Sequence, residues 1–307
     1  MSRDFLTVLD FSRDELAACL SLAARLKRRR ALGRRALSGK TLALVFQKPS
    51  VRTRVSFEVA IGQLGGSSTY LGHGDVQVGT REPVKDVART LSRYVDGIVL
   101  RTFGHGVVEE FAQYASVPVI NGLSDLHHPC QALADLLTIR ERLGTLKGLT
   151  LAYVGDGNNV LHSLLEASAL AGIHVRVATP KGYAPNRTIC SGARAAALGR
   201  ASFEIGHDPR RAVSGADVIY TDVWASMGQE HERAERLKAF RAFQINGRLV
   251  SLAGKRAIVL HCLPAHRGEE ITDDVVEGSR SAVFDQAENR LHAQKALLLT
   301  LFRRGTR

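Results

Sequence analysis

Cysteine is scarce and scattered in this chain: Cys19, Cys130, Cys190 and Cys262 are the only four in 307 residues, and no two form a Cys-x-x-Cys pair. That spacing excludes a disulfide framework and a zinc knuckle, and it predicts four reduced thiols. No stretch approaches the ~20 uninterrupted apolar residues of a membrane span, and the opening Met1-Ser2-Arg3-Asp4-Phe5-Leu6 has no apolar signal core. A cytoplasmic protein is expected. Internal repeats and low-complexity segments are also missing. Carboxylates are in deficit, 30 Asp and Glu against 42 Lys and Arg, for a net charge of +12. Such a surplus suits a nucleic acid, or a small polyanion drawn into a cleft. The main basic run, Lys27-Arg28-Arg29-Arg30 with Arg34 and Arg35, lacks the interleaved aromatics on which bases stack. Its helical spacing reads as a solvated helix end.

What is present is an ordinary globular composition, 45% hydrophobic and 23% charged, in a chain longer than one typical domain. Ser12 followed by Glu15 is a capping box that opens an amphipathic helix through Leu16, Leu20, Ala23 and Leu26. The apolar run Thr41 to Phe46 then reads as a strand, followed by a polar turn and a helical pattern through Phe57, Ile61 and Leu64. Residues 96–100 and 117–120 read as further strands around a helix at 107–115, and a long helix is expected at about 129–143. A second series starts at 149–154, with short strands at 175–178, 216–220 and 257–260 and a last helix at 288–302. This alternation predicts an α/β fold of two lobes, each a doubly wound parallel sheet flanked by helices. The expected domains are 1–145 and 146–307, with the final helix at about 287–303 packing back on the first lobe.

Chemistry concentrates where strands hand over to helices. Ser50-Val51-Arg52-Thr53-Arg54 lies at such a point, where unpaired N–H groups, the helix dipole, hydroxyls and guanidinium groups together make an anion cradle. Arg101 follows the strand 96–100, and His128-Pro129-Cys130-Gln131 stands where the chain enters a helix. Both fall at carboxyl ends of parallel strands, where open α/β sheets bind ligands. Gly155-Asp156-Gly157-Asn158-Asn159 resembles the start of a dinucleotide fingerprint, but Val160 occupies the place of its third glycine. The two asparagines instead offer amides to a polar ligand. Asp222-Val223-Trp224-Ala225-Ser226-Met227-Gly228 and His261-Cys262-Leu263-Pro264 end two further strands, with an acid, a hydroxyl and a thiol able to hold an amino acid. Cys262 with His261 and His266 makes a poor metal site, because no second ligand pair has the right spacing.

In order along positions 40 to 300, these motifs resemble those of ornithine carbamoyltransferases, and Glu288-Asn289-Arg290 fits the same pattern. The resemblance implies a transferase that moves the carbamoyl group of carbamoyl phosphate to the δ-amine of L-ornithine, giving L-citrulline and phosphate in arginine metabolism. It implies Arg101, His128 and Cys262 as catalytic residues. Carbamoyl phosphate is then met by Ser50, Val51, Arg52, Thr53, Gln77, Arg101, His128, Pro129, Cys130, Gln131, Cys262, Leu263 and Arg290. Ornithine is met by Asn159, Asp222, Ser226 and Met227. No metal or cofactor is expected, nor a nucleic-acid or membrane partner. Gln77, similar to a residue that reaches a neighbouring subunit's site, implies a homotrimer or a multiple of one. Val51 stands where the family usually has threonine, so one hydroxyl is missing from the phosphate turn, and Val87 reads as a packing change.

Two other acceptor classes come from the same resemblance. An aspartate enzyme would carry His-Pro-Leu-Pro in place of His261-Cys262-Leu263-Pro264. Putrescine or N-acetylornithine enzymes would lack the Ser226-Met227-Gly228 loop that grips a free α-amino acid.

Overall fold

The structure, a computed structural model, describes residues 4–29, 31–226 and 228–302. Met227 and Arg30 lie outside them. Contacts divide the chain into two compact units, one of residues up to Ala134 together with those from Asn289 onward, the other Asp135–Glu288. The helices Pro129–Leu143 and Val283–Phe302 each contain one of these two boundaries.

The first unit holds four parallel strands, β1 (Thr41–Phe46), β2 (Ser67–Leu71), β3 (Gly97–Arg101) and β4 (Val119–Leu123), in the order β2-β1-β3-β4. Leu42–Phe46 are all buried, as a continuous apolar run in a parallel sheet must be. Each such side chain contributes about 1.5–3 kcal/mol on leaving water. The helix Arg13–Arg28 opens on the expected capping box: Glu15 N–H donates to Ser12 Oγ at 3.3 Å and Ser12 N–H to Glu15 Oε2 at 2.9 Å. β4 begins two residues later than 117, because Pro118 has no N–H to donate to a ladder. Val87 is buried among Val84, Ala88 and Val108, a packing position.

The C-terminal helix Val283–Phe302 contributes its residues from Asn289 to this unit. Lys27 Nζ donates to Asn289 Oδ1 at 2.9 Å, and Lys295 Nζ to Gln63 Oε1 at 3.0 Å. At Gly97 an added Cβ would meet the Phe302 ring at 2.6 Å, so the close approach of this helix to β3 requires glycine.

The second unit holds five parallel strands, β5 (Thr150–Val154), β6 (His174–Ala178), β7 (Phe203–Gly206), β8 (Val218–Thr221) and β9 (Ile258–His261). Their order is β7-β6-β5-β8-β9. The order reverses direction between β5 and β8, as it does between β1 and β3 in the first unit. Ligands of open α/β sheets bind beyond the carboxyl ends of strands at such a switch. Residues just after β1 and β3, and just after β5 and β8, therefore stand where a ligand would bind.

Candidate active site

In the first unit, Ser50 caps the helix Val51–Gln63, its Oγ accepting from Thr53 N–H at 3.3 Å. Thr53 is 1% exposed, and its hydroxyl accepts from Arg290 Nη2 at 3.2 Å. Arg290 Nη1 donates to Gln131 Oε1 at 2.6 Å, so the helix Val51–Gln63, the helix Pro129–Leu143 and the C-terminal helix share one guanidinium. Arg101 ends β3 and is buried, as is His128 after β4. Burial, and then the charges of Arg290, Arg101 and Arg52, hold the His128 imidazole well below its ordinary value. It is neutral at neutral pH, inside a cluster of three arginines. Lys48 adds a further buried cation over the Phe103 ring.

The neighbouring residues have structural surroundings of their own. Arg54 turns away from the cluster: its Nε donates to Glu58 at 2.9 Å and its guanidinium lies 3.7 Å from the Tyr70 ring centroid. Val51 is 76% exposed at the first turn. Cys130 Sγ donates to Asn121 O at 3.4 Å, and burial pushes its thiol up to about 12, so it stays protonated. Pro129 opens its helix, a position where the missing N–H costs nothing. Gln77 is exposed in the left-handed region, φ 45°, and no hydrogen bond ties its side chain to Ser50, Arg101 or His128.

In the second unit the polar groups after β5, β8 and β9 form one connected set. Asn158, rather than Asn159, organises it. Its Oδ1 caps the helix Asn159–Ala171 by accepting from Val160 and Leu161 N–H, and it also accepts from the Tyr153 hydroxyl at 3.2 Å. Its Nδ2 donates to Asp222 Oδ2 at 2.7 Å, and Cys262 Sγ donates to Asp222 Oδ1 at 3.0 Å. Asn159 is the first residue of the helix, and Ser226 N–H donates to Gln229 Oε1 at 3.0 Å in the next loop. Met227, expected beside it, lies outside the described residues. Leu263 is held in the left-handed region, φ 57°, before a cis Pro264.

The chemistry that sequence reasoning missed lies in Asp156. It is buried, and Arg236 Nη1 lies 3.1 Å from its Oδ2. Burial raises this carboxyl, Arg236 lowers it and Asp222 raises it, and the balance stands at about 6. Arg236 also donates to Trp224 O at 3.0 Å and to Glu232 at 2.8 Å. Trp224 stacks on Phe240, which meets Tyr183 edge-on. The Asp222 charge thus reaches Asp156, and the two acids lie near enough to act on one cation. Asn158 was legible as a cap, since asparagine before an apolar helix is a standard signal. The role of Asp156 was not, because Arg236 lies 80 residues on.

The glycines of this motif serve the chain itself. A Cβ on Gly157 would meet Pro185 N at 2.4 Å and Tyr183 O at 2.5 Å. The close approach it allows is to protein backbone and not to a pyrophosphate. Gly157→Ala is expected to destabilise the protein by about 1–3 kcal/mol, the usual cost of overpacking. A urea midpoint equal to that of the unchanged protein would refute this.

Asp222, His261 and Cys262 bring their donor atoms within 4.8 Å of one another, a spacing that could hold a cation. Both His261 ring nitrogens are engaged elsewhere, Nδ1 by Leu263 N–H and Nε2 by Glu270.

Comparison with known proteins accounts for both units. The carbamoyl-P binding domain of aspartate/ornithine carbamoyltransferases matches residues 3–141, and the Asp/Orn binding domain of the same family matches residues 147–301. The ornithine carbamoyltransferase of Thermococcus kodakarensis is 58% identical over 299 residues, covering 96% of this chain and 95% of that protein. That of Anoxybacillus flavithermus is 55% identical over 302 residues, covering 97% and 96%. The solved structure of ornithine carbamoyltransferase from Pyrococcus furiosus has a TM-score of 0.94 and 55% identity, covering 97% of this chain and 96% of that one. With a cation cluster in the unit that matches the first domain and an acid pair in the unit that matches the second, the chain belongs to the aspartate/ornithine carbamoyltransferase family.

Proposed function

We propose that this enzyme transfers the carbamoyl group of carbamoyl phosphate to the δ-amine of L-ornithine, releasing L-citrulline and phosphate. The observation that carries the first half is the convergence of Arg52, Arg101 and Arg290 on a buried, neutral His128. In this reading the phosphate rests on the N-terminus of the helix Val51–Gln63, held by Ser50, Arg52 and Thr53 and by the N–H of Val51. Arg101 and His128 face the carbamoyl oxygen, Gln131 its amide. Arg290 holds Gln131 and Thr53 in place from behind.

Ornithine lies at the second unit, with its α-ammonium on Asp222 and its remaining polar groups on Asn159, Ser226 and Met227. The neutral δ-amine attacks the carbamoyl carbon, a C–N bond forms, the C–O bond to phosphate breaks, and the amine proton leaves. Negative charge grows on the carbonyl oxygen and the departing phosphate, and the fixed arginines stabilise it without reorganising. A neutral imidazole at His128 adds no proton of its own to this balance. It acts as a hydrogen-bonding group among cations.

The exposed Gln77 supports a residue that serves a neighbouring subunit, so a homotrimer or a multiple of one belongs to the same reading. Four cysteines present as thiols favour a reducing compartment, in keeping with the cytoplasm. Turnover with saturating carbamoyl phosphate and three acceptors tests the assignment. Ornithine is expected to give citrulline fastest; equal or faster turnover of putrescine or N-acetylornithine would sink it.

Asp156 sets an expected pH dependence. Its carboxyl is neutral below about 6 and charged above, so the pocket's affinity for a cation rises as pH climbs through 6. The δ-amine, with a pKa near ~10, also loses its proton progressively with rising pH. The logarithm of kcat/KM for ornithine should therefore rise with a slope near two below pH 6 and near one above it. The break should vanish in Asp156→Asn. A break that survives in that variant assigns it to another group, and His128 is excluded from that role by its depressed value.

A further inference from the structure

Behind Cys262 lies a buried polar chain to which the proposed chemistry gives no work. His261 ends β9 and is fully buried. Its Nδ1 accepts from Leu263 N–H at 2.9 Å, so the ring proton sits on Nε2, 3.1 Å from Glu270 Oε1. That oxygen also accepts from the His266 backbone N–H, an obligate donor, at 2.6 Å. Glu270 Oε1 is thus an acceptor, and it imposes the Nε2–H tautomer on His261. On its other side, the His261 N–H donates to Gln286 Oε1 at 2.9 Å. The Gln286 amide in turn donates to Asp135 Oδ1 at 2.7 Å and to the Tyr220 hydroxyl at 3.0 Å.

A carboxylate and an imidazole in this position are costly to bury, and an apolar pair of similar volume would fill the same space without that cost. What they hold is Leu263, whose φ of 57° places a leucine in the left-handed region that side chains avoid. Cys262, its neighbour, faces Asp222. We propose that Glu270 and His261 are positioning residues for the acceptor site: Glu270 fixes the His261 tautomer, and His261 Nδ1 pins Leu263 N–H, keeping the turn that presents Cys262 to Asp222. With the proton on Nδ1 instead, two N–H donors would face one another and the turn would lose its anchor. The inference rests on the reading of Asp222 and Cys262 as acceptor-site residues.

Four variants test it, Glu270→Leu, Glu270→Gln, His261→Asn and His261→Gln. Asparagine Oδ1 lies where Nδ1 lay and can accept from Leu263, whereas glutamine reaches toward Glu270 and leaves Leu263 N–H without its acceptor. Glu270→Leu is expected to lower kcat/KM for ornithine by about 10–100-fold, the usual range for losing a buried hydrogen-bond partner. Glu270→Gln keeps an acceptor oxygen and falls less. His261→Asn retains more activity than His261→Gln. The dissociation constant of inorganic phosphate, set by the first unit, stays within about twofold in all four.

Iodoacetamide reports the turn directly, since Cys262 is half-buried while Cys19, Cys130 and Cys190 are buried. Its alkylation of Cys262 should quicken in Glu270→Leu and in His261→Gln more than in His261→Asn. Equal behaviour of His261→Asn and His261→Gln in both assays, or a loss of phosphate affinity as large as the loss for ornithine, overturns the proposal. Should Glu270→Leu fail to fold, the two His261 variants decide alone. Should the unaltered enzyme make no citrulline, the functional reading falls, and the alkylation contrast still decides the positioning.

Discussion

Replacing Arg52 with alanine is expected to weaken carbamoyl phosphate binding by about 10–100-fold, with little change in thermal stability. Arg52 is only partly buried and stands at the second position of a capped helix, so its removal opens no cavity. Its charge is nevertheless one of three that act on His128. Without it the imidazole value moves upward toward normal, and a bound phosphate loses a charge-assisted contact. Arg54→Ala is the matched control. That side chain is spent on Glu58 and Tyr70, and its loss should leave affinity within about twofold, as for an ordinary exposed ion pair. Calorimetry with carbamoyl phosphate measures both, and unchanged affinity in Arg52→Ala removes the phosphate from this turn.

The largest effect on the acceptor side is expected from Asp222→Asn. The change keeps the shape of a side chain that accepts from Asn158 and Cys262, while deleting the charge proposed to meet ornithine. Losing one partner of a buried charged pair costs about 2–5 kcal/mol, which is on the order of 30- to 5,000-fold in kcat/KM for ornithine. Carbamoyl phosphate affinity should be untouched, because its proposed contacts in the first unit remain. A loss shared equally by both substrates would point to a folding defect, and a loss under about threefold would move the ammonium elsewhere.

The sheets were legible where strands are buried. Leu42–Phe46 and Ile98–Leu100 are apolar on both faces, and such runs announce themselves without periodicity. β2 and β7 left no such mark, because their side chains stay in water: Ser67 to Leu71 is half-exposed throughout, and Glu204 and Ile205 face solvent, whereas the edge strands β4 and β9 are buried and were legible. The C-terminal helix begins at Val283, five residues before the 288 expected, because Asp285, Gln286 and Glu288 break the apolar pattern while still favouring helix.

At the site, the strand-end motifs were readable as chemistry because their hydroxyls, guanidinium groups and acids stand at turns. Which of two arginines faces inward was also readable in principle. Arg52 and Arg54 are two positions apart, about 200° around a helix, so they cannot share a face. What no local pattern carries is partnership across the fold. Glu270 looks like a surface acid until His261 is seen beside it, and Asp156 looks like a turn residue until Arg236 arrives from a later helix.

The aromatic stack beside that arginine has a practical consequence. Trp224 is the single tryptophan of the chain, buried two residues after Asp222, and its carbonyl holds the guanidinium that balances Asp156. Light absorbed by indole and not by the six tyrosines therefore excites a single ring, in the loop where ornithine is proposed to lie. Any amine that seats itself there changes the field around that ring, so candidate acceptors can be ranked by fluorescence titration before a single turnover is measured.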